Sequence, residues 1–199
     1  LPSAELNARS LDMGVGDSYV LTFSMTDGSA APANAQFVSS DPTVVSVDVD
    51  TDGLIHAERK GEATVSLVIG GETVATCSVT VKAAPTRIVV LDDASIAVGR
   101  GEIRQDSIRY ALYAGDVQTA GSVTFSSSND SVVQVNGEGQ LYGRSAGSAT
   151  ITLTAYNGVR TSVNVVVRSA PSSISITIRN ATMAVGQVGG IGYSLPSNT

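Results

Sequence analysis

Three aspartates at alternating positions form the segment of this chain whose spacing best suits a metal ion. In the run Asp48-Val49-Asp50-Thr51-Asp52-Gly53, alternate carboxylates can surround a hard cation such as Ca²⁺, and the glycine permits a sharp turn. Calcium loops of this type place a bidentate Glu at the twelfth position, which is Arg59 here. We therefore predict a solvated acidic turn and keep a calcium site at Asp48, Asp50 and Asp52 as the alternative. The sequence suggests no other cofactor.

The one histidine and the one cysteine are placed too far apart in the predicted strands to act as a nucleophile and its base. His56 lies within a strand, and we expect it to be exposed. Cys77 lies two strands later, where we expect a small buried apolar side chain rather than a reactive thiol. A lone cysteine also excludes a disulfide within the chain. We therefore predict that the chain is not an enzyme.

Two further short motifs have structural explanations. Asp92-Asp93 lies between predicted strands, where the carboxylates are expected to cap a turn or contact a neighbouring domain rather than perform acid-base chemistry. Gly99-Arg100-Gly101 is not a phosphate loop, because neither Lys-Ser nor a helix follows it.

Tyrosines offer the remaining chemical possibility, an aromatic platform for carbohydrate. The four candidates are Tyr110, Tyr113, Tyr142 and Tyr156. The alternation of Ile108, Tyr110 and Leu112 assigns Tyr110 to the core, which leaves few exposed rings for such a platform.

Composition narrows the classes of partner. The 199 residues include 12 basic and 18 acidic side chains and carry a net charge of −6, with lysine only at Lys60 and Lys82. No basic stripe is available to neutralise phosphates, so we predict no nucleic-acid partner. No apolar run approaches the length of a membrane span. The sequence begins at Leu1 without a signal peptide, so we expect it to be an excised or processed piece.

The chain repeats itself at an offset of 86 residues. Gly147-Ser148-Ala149-Thr150-Ile151 matches Gly61-Glu62-Ala63-Thr64-Val65, and Ala170-Pro171 matches Ala84-Pro85. A period of this length corresponds to one whole small domain rather than to a solenoid turn. We predict domains at 1–84 and 85–170, and the start of a truncated third domain at 171–199.

Each repeat reads as a series of short strands. Val, Ile and Thr favour strands over helices, and Asn157-Gly158 between two alternating segments is a strong hairpin signal. The short joints that contain Pro85 and Pro171 favour a semi-rigid connection, because proline restricts itself and the preceding residue to extended backbone.

Three ordered elements occur in both repeats. In the first they are Phe37-Val38-Ser39-Ser40-Asp41-Pro42-Thr43-Val44-Val45-Ser46-Val47, Gly53-Leu54-Ile55-His56-Ala57 and Gly61-Glu62-Ala63-Thr64-Val65. In the second they are Phe125-Ser126-Ser127-Ser128-Asn129-Asp130-Ser131-Val132-Val133-Gln134-Val135, Gly139-Gln140-Leu141-Tyr142-Gly143 and Gly147-Ser148-Ala149-Thr150-Ile151. With a final Val-x-Val strand, these spacings resemble the group 2 bacterial immunoglobulin-like domain. Phe replaces the family's usual Trp in both repeats, and Gly143 replaces an Ala.

The resemblance implies an all-β fold of tandem immunoglobulin-like β-sandwiches with about seven strands each. The residues expected to form the structural framework are Phe37, Phe125, Gly61, Gly147, Pro85, Pro171 and Cys77. A sandwich does not by itself imply an activity.

The family occurs in bacterial surface proteins, adhesins, secreted enzymes and phage virions. The resemblance therefore implies a non-catalytic extracellular module, a semi-rigid spacer that presents a binding region from a bacterial cell surface. The expected partners are a protein or carbohydrate on a cell surface and neighbouring domains of the same polypeptide. The alternatives are a phage virion decoration domain that contacts host carbohydrate, and an accessory module of a secreted carbohydrate-active enzyme.

Overall fold

The computed structural model of the chain describes residues 3–49, 53–169, 175–178, 185 and 191–194. Within these residues every regular element is a β-strand, which confirms the predicted all-β fold. Across the same residues, no helix is long and apolar enough to cross a membrane.

Two series of strands follow one another and are called here the first unit and the second unit. The strands of the first unit are Ala4–Leu6 (β1), Ser10–Gly14 (β2), Ser18–Val20 (β3), Phe23–Met25 (β4), Ala35–Ser39 (β5), Val45–Val47 (β6), Leu54–Ala57 (β7), Gly61–Ile69 (β8) and Glu72–Lys82 (β9). The strands of the second unit are Arg87–Val90 (β10), Ser95–Gly99 (β11), Tyr110–Ala114 (β12), Val117–Thr119 (β13), Val123–Ser127 (β14), Val133–Val135 (β15), Leu141–Gly143 (β16), Gly147–Ala155 (β17) and Arg160–Arg168 (β18). A terminal hairpin pairs Ser175–Ile178 (β19) with Ile191–Ser194 (β20).

Each unit contains a four-stranded sheet, a three-stranded sheet and a two-stranded sheet, which is β1-β4 in the first unit and β15-β16 in the second. The four-stranded sheets have the orders β2-β9-β8-β5 and β11-β18-β17-β14, and the three-stranded sheets are β3-β7-β6 and β10-β12-β13. The first strand of each four-stranded sheet runs parallel to its neighbour, and the other pairs are antiparallel. Mainly antiparallel sheets packed around one core form an immunoglobulin-like sandwich.

Each unit has its own hydrophobic core. One cluster of buried residues runs from Leu6 to Val81, and the other from Ile88 to Val167. Alternate residues of the long strands supply these clusters because successive side chains in a strand point to opposite faces.

Strand register repeats between the two units. Gly61 pairs with Val81 as Gly147 pairs with Val167. Because a slip of one residue would turn every side chain to the opposite face, this shared register places equivalent residues in equivalent cores.

The strands are more finely divided than predicted, with nine described strands in each unit. The first unit shows why. The first half of its leading segment, β1, pairs with β4. The second half, β2, joins the four-stranded sheet, where it pairs with β9. Asn7 lies at this break, and its side chain accepts a hydrogen bond from the Thr22 amide and donates one to the Val20 carbonyl oxygen.

The predicted domain boundaries remain predictions. The two cores and the terminal hairpin agree in order with them, but Ala170, Pro171 and most of the predicted third domain lie outside the described residues.

Candidate functional site

The acidic segment that suggested a calcium site is only partly described. Asp50 and Asp52 lie outside the described residues, so the site stays a prediction. Asp48 lies directly after β6, and its Oδ2 atom is 3.8 Å from Nε2 of His56. In the part of the chain that the structure describes, no three His, Cys, Asp or Glu side chains form a group that could hold a metal ion.

The side chain of His56 is 37% exposed, as expected for a strand residue that is open to solvent on one side. It lies in β7 between Ser18 of β3 and Ser46 of β6. Its Nδ1 atom is 2.8 Å from the Ser18 hydroxyl oxygen, and Nε2 faces Asp48. Because β7 is the central strand of its sheet, neighbours on both sides limit the access of water to the ring.

The predicted framework residues lie at the sandwich cores. Cys77 is fully buried in β9, and burial raises the pKa of its thiol. Phe37 packs edge-on against Phe23 at a centroid distance of 6.1 Å, and Phe125 packs against Tyr110 at 5.8 Å. The equivalent aromatic pairs show that Phe occupies the same position in both cores.

The remaining framework residues shape the strand ends. Gly61 and Gly147 begin β8 and β17, where a Cβ atom would press against Val44 at Gly61 and would lie in ordinary contact with Val132 at Gly147. The side chain of Pro85 is fully buried. Pro171 lies outside the described residues.

Asp92 stabilises a turn within the second unit. Its side chain is 5% exposed and forms ion pairs with Arg104 at 3.1 Å and with Arg109 at 3.2 Å. The amide of Arg109 also donates a hydrogen bond to it. Burial opposes ionisation, but these bonds outweigh it and lower the pKa of Asp92. Its neighbour Asp93 is exposed.

The four tyrosines do not form a common platform. Tyr110 packs in the core, and the guanidinium of Arg87 lies 4.5 Å from the centre of the Tyr113 ring. Tyr142 is exposed, whereas Tyr156 lies at the boundary between the two units. Tyr110 and Tyr156 therefore have structural positions and are not available to a carbohydrate-binding surface.

The boundary between the units is a second organised polar site in the described structure. Residues 14–17, called here the first loop, leave the end of β2 and meet the start of β14 and the end of β17 in the second unit. This site and the linker 82–86 are together called the joint.

Asp17 is the polar centre of the joint. Among the described residues it is the one polar or charged residue that is buried as a whole, at 5% exposure. Oδ2 accepts a 2.7 Å hydrogen bond from the Ser122 amide, and Oδ1 accepts one of 2.7 Å from the Ser122 hydroxyl. Oδ1 also accepts a bond from the Ser18 amide within the first unit. A charged acceptor with three donors is strongly held, and two of the donors come from the other unit.

Tyr156 packs against the same loop from the second unit. Its hydroxyl donates a 2.7 Å hydrogen bond to the carbonyl oxygen of Val15. A Cβ atom at Gly14 would overlap this hydroxyl, so glycine is needed there for the close approach. Burial, followed by the negative charge of Asp17, raises the pKa of Tyr156 to about 12.

The linker contributes bonds of its own. The Thr119 hydroxyl donates to the carbonyl oxygen of Ala83, and the Asn157 side chain donates to that of Pro85 at 2.7 Å. The linker carbonyls are therefore held by strand β13 and by the turn after β17. Together with Asp17 and Tyr156, these bonds connect the first unit, the linker and the second unit.

The sequence predicted the linker but not the roles of Asp17, Ser122 and Tyr156 in the joint. A usable signal was present, since Gly14-Val15-Gly16-Asp17 recurs as Gly99-Arg100-Gly101-Glu102. A repeated Gly-x-Gly-acid segment after equivalent strands indicates a loop with a common role.

Comparisons with known proteins agree with this architecture. Residues 108–167 match the family of group 2 bacterial Ig-like domains. This match confirms the resemblance for the second unit, whose register the first unit shares. No curated protein matches the chain.

Several solved structures are similar at low sequence identity. The crystal structure of domains 4 and 5 of the S-layer protein SbsC is 22% identical, with 84% of this chain and 97% of that chain covered and a TM-score of 0.35. Domains 1–6 of the same protein are 21% identical, with 89% and 29% covered and a TM-score of 0.37. The extracellular cadherin domains 1–4 of protocadherin gamma B7 are 10% identical, with 98% and 59% covered and a TM-score of 0.36.

Proposed function

We propose that this chain is a non-catalytic extracellular module that acts as a semi-rigid spacer and presents a binding region from a bacterial cell surface. The observation that carries the proposal is the joint, in which Asp17 and Tyr156 bind the two units to each other. Freely jointed domains would need no buried carboxylate shared between them. A shared carboxylate instead restricts the angle between neighbours and lets a row of sandwiches project outward.

The family match supports this role. Immunoglobulin-like sandwiches are frameworks on which binding sites are placed, so their shared features are structural. The features that the two units share here are cores, registers and loops at the unit ends. In this proposal the chain needs no cofactor, and its partners are neighbouring units and a protein or carbohydrate on a cell surface.

Double electron-electron resonance tests the spacer. Spin labels are attached at Glu62→Cys and Asp130→Cys, which are exposed positions in different units, while Cys77 is protected by burial. A semi-rigid joint predicts one narrow distance distribution, whereas a broad distribution would contradict the spacer.

Location is tested separately. Antibodies raised against the purified chain should label intact cells of the source organism without permeabilisation. Labelling that requires permeabilisation would contradict the extracellular assignment.

A further inference from the structure

The second unit carries a loop that is equivalent to the first loop but points away from the joint. Residues 99–102, called here the second loop, leave β11 as the first loop leaves β2. We propose that the second loop is a docking site for the immunoglobulin-like unit that begins with β19 and β20, and that Glu102 accepts hydrogen bonds there from hydroxyl and amide groups. This inference extends the proposed spacer function to the next unit.

The backbone of the two loops has the same hydrogen bonds. Val15 N donates to Lys82 O at 2.9 Å, as Arg100 N donates to Arg168 O at 2.8 Å. The second glycine of each loop donates a 2.7 Å hydrogen bond to a strand outside the four-stranded sheet. Gly16 donates to Ala57 of β7, and Gly101 donates to Gly143 of β16. Their φ angles are +87° and +80°. The second loop is thus already folded in the conformation that receives a neighbour in the first.

Glu102 occupies the place that a neighbour's hydroxyl would take. Its Oε2 atom accepts a 2.8 Å hydrogen bond from the Gly99 amide. A Cβ atom at Gly99 would press against this oxygen, just as one at Gly14 would overlap the Tyr156 hydroxyl. In the second loop, therefore, the chain's own carboxylate fills the position of the docked tyrosine. Glu102 is exposed and can turn outward to accept a donor.

The surroundings of the second loop are open and partly apolar. Near Gly16 the ring of Tyr156 lies 3.7 Å from a Cβ position, while at Gly101 nothing lies within 4 Å. Ile103 is 55% exposed, and it forms a bridge with Tyr142, which is 37% exposed. An exposed apolar pair beside a polar loop is suited to contact with a neighbouring domain.

The terminal hairpin indicates what the occupant is. Ile176 pairs with Tyr193, as Val90, the equivalent residue at the 86-residue offset, pairs with Tyr110 in the second unit. The hairpin therefore repeats the first pairing of an immunoglobulin-like unit. We expect such a unit to present a hydrogen-bond donor at the position that Ser122 holds in the second unit and Asn34 in the first.

Disulfide trapping in a three-unit chain tests the docking. Residues 1–170 are followed by a second copy of residues 85–170, so that Ala-Pro is kept at the new joint. Arg100→Cys in the middle unit is combined with Ala120→Cys in the copy, so that Glu102 and Ser122 are kept, because Ala120 lies beside the first loop in the existing joint. We expect this pair to oxidise at least about tenfold faster than a control pair with Glu138→Cys, because docking raises the effective concentration. Oxidation no faster than the control would overturn the docking site.

The first joint serves as an internal reference. The pair Val15→Cys with Ala120→Cys of the middle unit keeps Asp17 and Ser122 and reports on the joint of the proposed spacer. If this pair is trapped and the Arg100 pair is not, the docking inference fails while the spacer stands. If the reference pair is not trapped, the spacer fails.

A loop transplant in the native chain provides a second test that needs no added unit. The double variant Val15→Arg with Asp17→Glu gives the first loop the sequence of the second loop. The single variant Asp17→Glu leaves the partly buried Val15 unchanged. Hydrogen exchange at the Ser122 amide should stay close to that of the unaltered chain. In Asp17→Ala it should rise by about tenfold, because a bond to a carboxylate is lost. Equally fast exchange in the Glu variants and in Asp17→Ala would overturn the proposal.

Discussion

At the scale of residues, one carboxylate accounts for most of the polar contact between the units. Asp17 accepts two bonds from Ser122 in the second unit and one from Ser18 in its own. A buried charge is tolerated only where donors compensate its lost hydration. The docked second unit supplies two of the three donors, so opening of the joint would leave the carboxylate with the Ser18 amide alone.

Replacement of Asp17 should weaken the protein measurably. In Asp17→Ala the amides of Ser18 and Ser122 lose their acceptor, and we expect a loss of about 1–3 kcal/mol in the free energy of unfolding. Asp130→Ala removes the same charge from an exposed turn and should change stability by less than about 0.5 kcal/mol. Urea denaturation followed by circular dichroism measures both. Equal stability of the two variants would contradict the role of Asp17.

Tyr156 should give the joint a dependence on alkaline pH. Its pKa is raised from 10.0 to about 12 in the folded chain, first by burial and then by the charge of Asp17. The folded state therefore holds this proton more tightly than the unfolded state. The resulting stability is complete below pH 10.0 and is lost as the pH rises towards about 12.

The variant Tyr156→Phe isolates this contribution. At neutral pH it should be less stable by about 0.5–1.5 kcal/mol, since one hydrogen bond is lost. Above pH 10.0 the difference in the free energy of unfolding between the unaltered chain and Tyr156→Phe should narrow, because only the unaltered chain loses the contribution of Tyr156. Urea titrations at successive pH values measure this, with Tyr142→Phe as the exposed control. A gap that stays constant would contradict the burial of the phenol in the joint.

At the scale of elements, repeated glycines fix how the sheets approach each other. Gly53 and Gly139 precede β7 and β16 with φ angles of +76° and +81°. A Cβ atom at Gly53 would overlap the carbonyl oxygen of Leu21, and one at Gly139 would press against the ring of Phe125. Glycine is therefore required here by both backbone conformation and space.

A pair of alanine variants separates these two requirements. Gly71→Ala changes a turn residue with φ +87° and open space around it, so it should cost roughly 1–2 kcal/mol for conformation alone. Gly53→Ala should cost about 1–3 kcal/mol more, because overpacking adds to the strain. Equal losses in thermal or urea unfolding would show that space does not matter at Gly53.

The elements were largely predictable from the sequence. Alternation, turn residues and the repeat identified the strands around Tyr110, Phe125 and Gly147, since these signals are local. The break of the leading strand at Asn7 was not predictable, because it depends on which sheet each half joins. The joint residues were missed for the same reason, since Asp17 and Ser122 meet only through tertiary packing.

At the scale of the whole molecule, the joint determines whether two sandwiches behave as one body. Each core is complete within its unit, so the relative orientation of the units depends on the linker and on the contacts of Asp17 and Tyr156. The chain is a spacer only if these contacts hold in solution.

Residual dipolar couplings of backbone amides in the weakly aligned chain test this most directly. With a semi-rigid joint, the first and second units share one alignment tensor, in both magnitude and orientation, and Asp17→Ala makes the tensors diverge while Asp130→Ala does not. Independent tensors for the two units in the unaltered chain would contradict the semi-rigid joint and the function proposed from it.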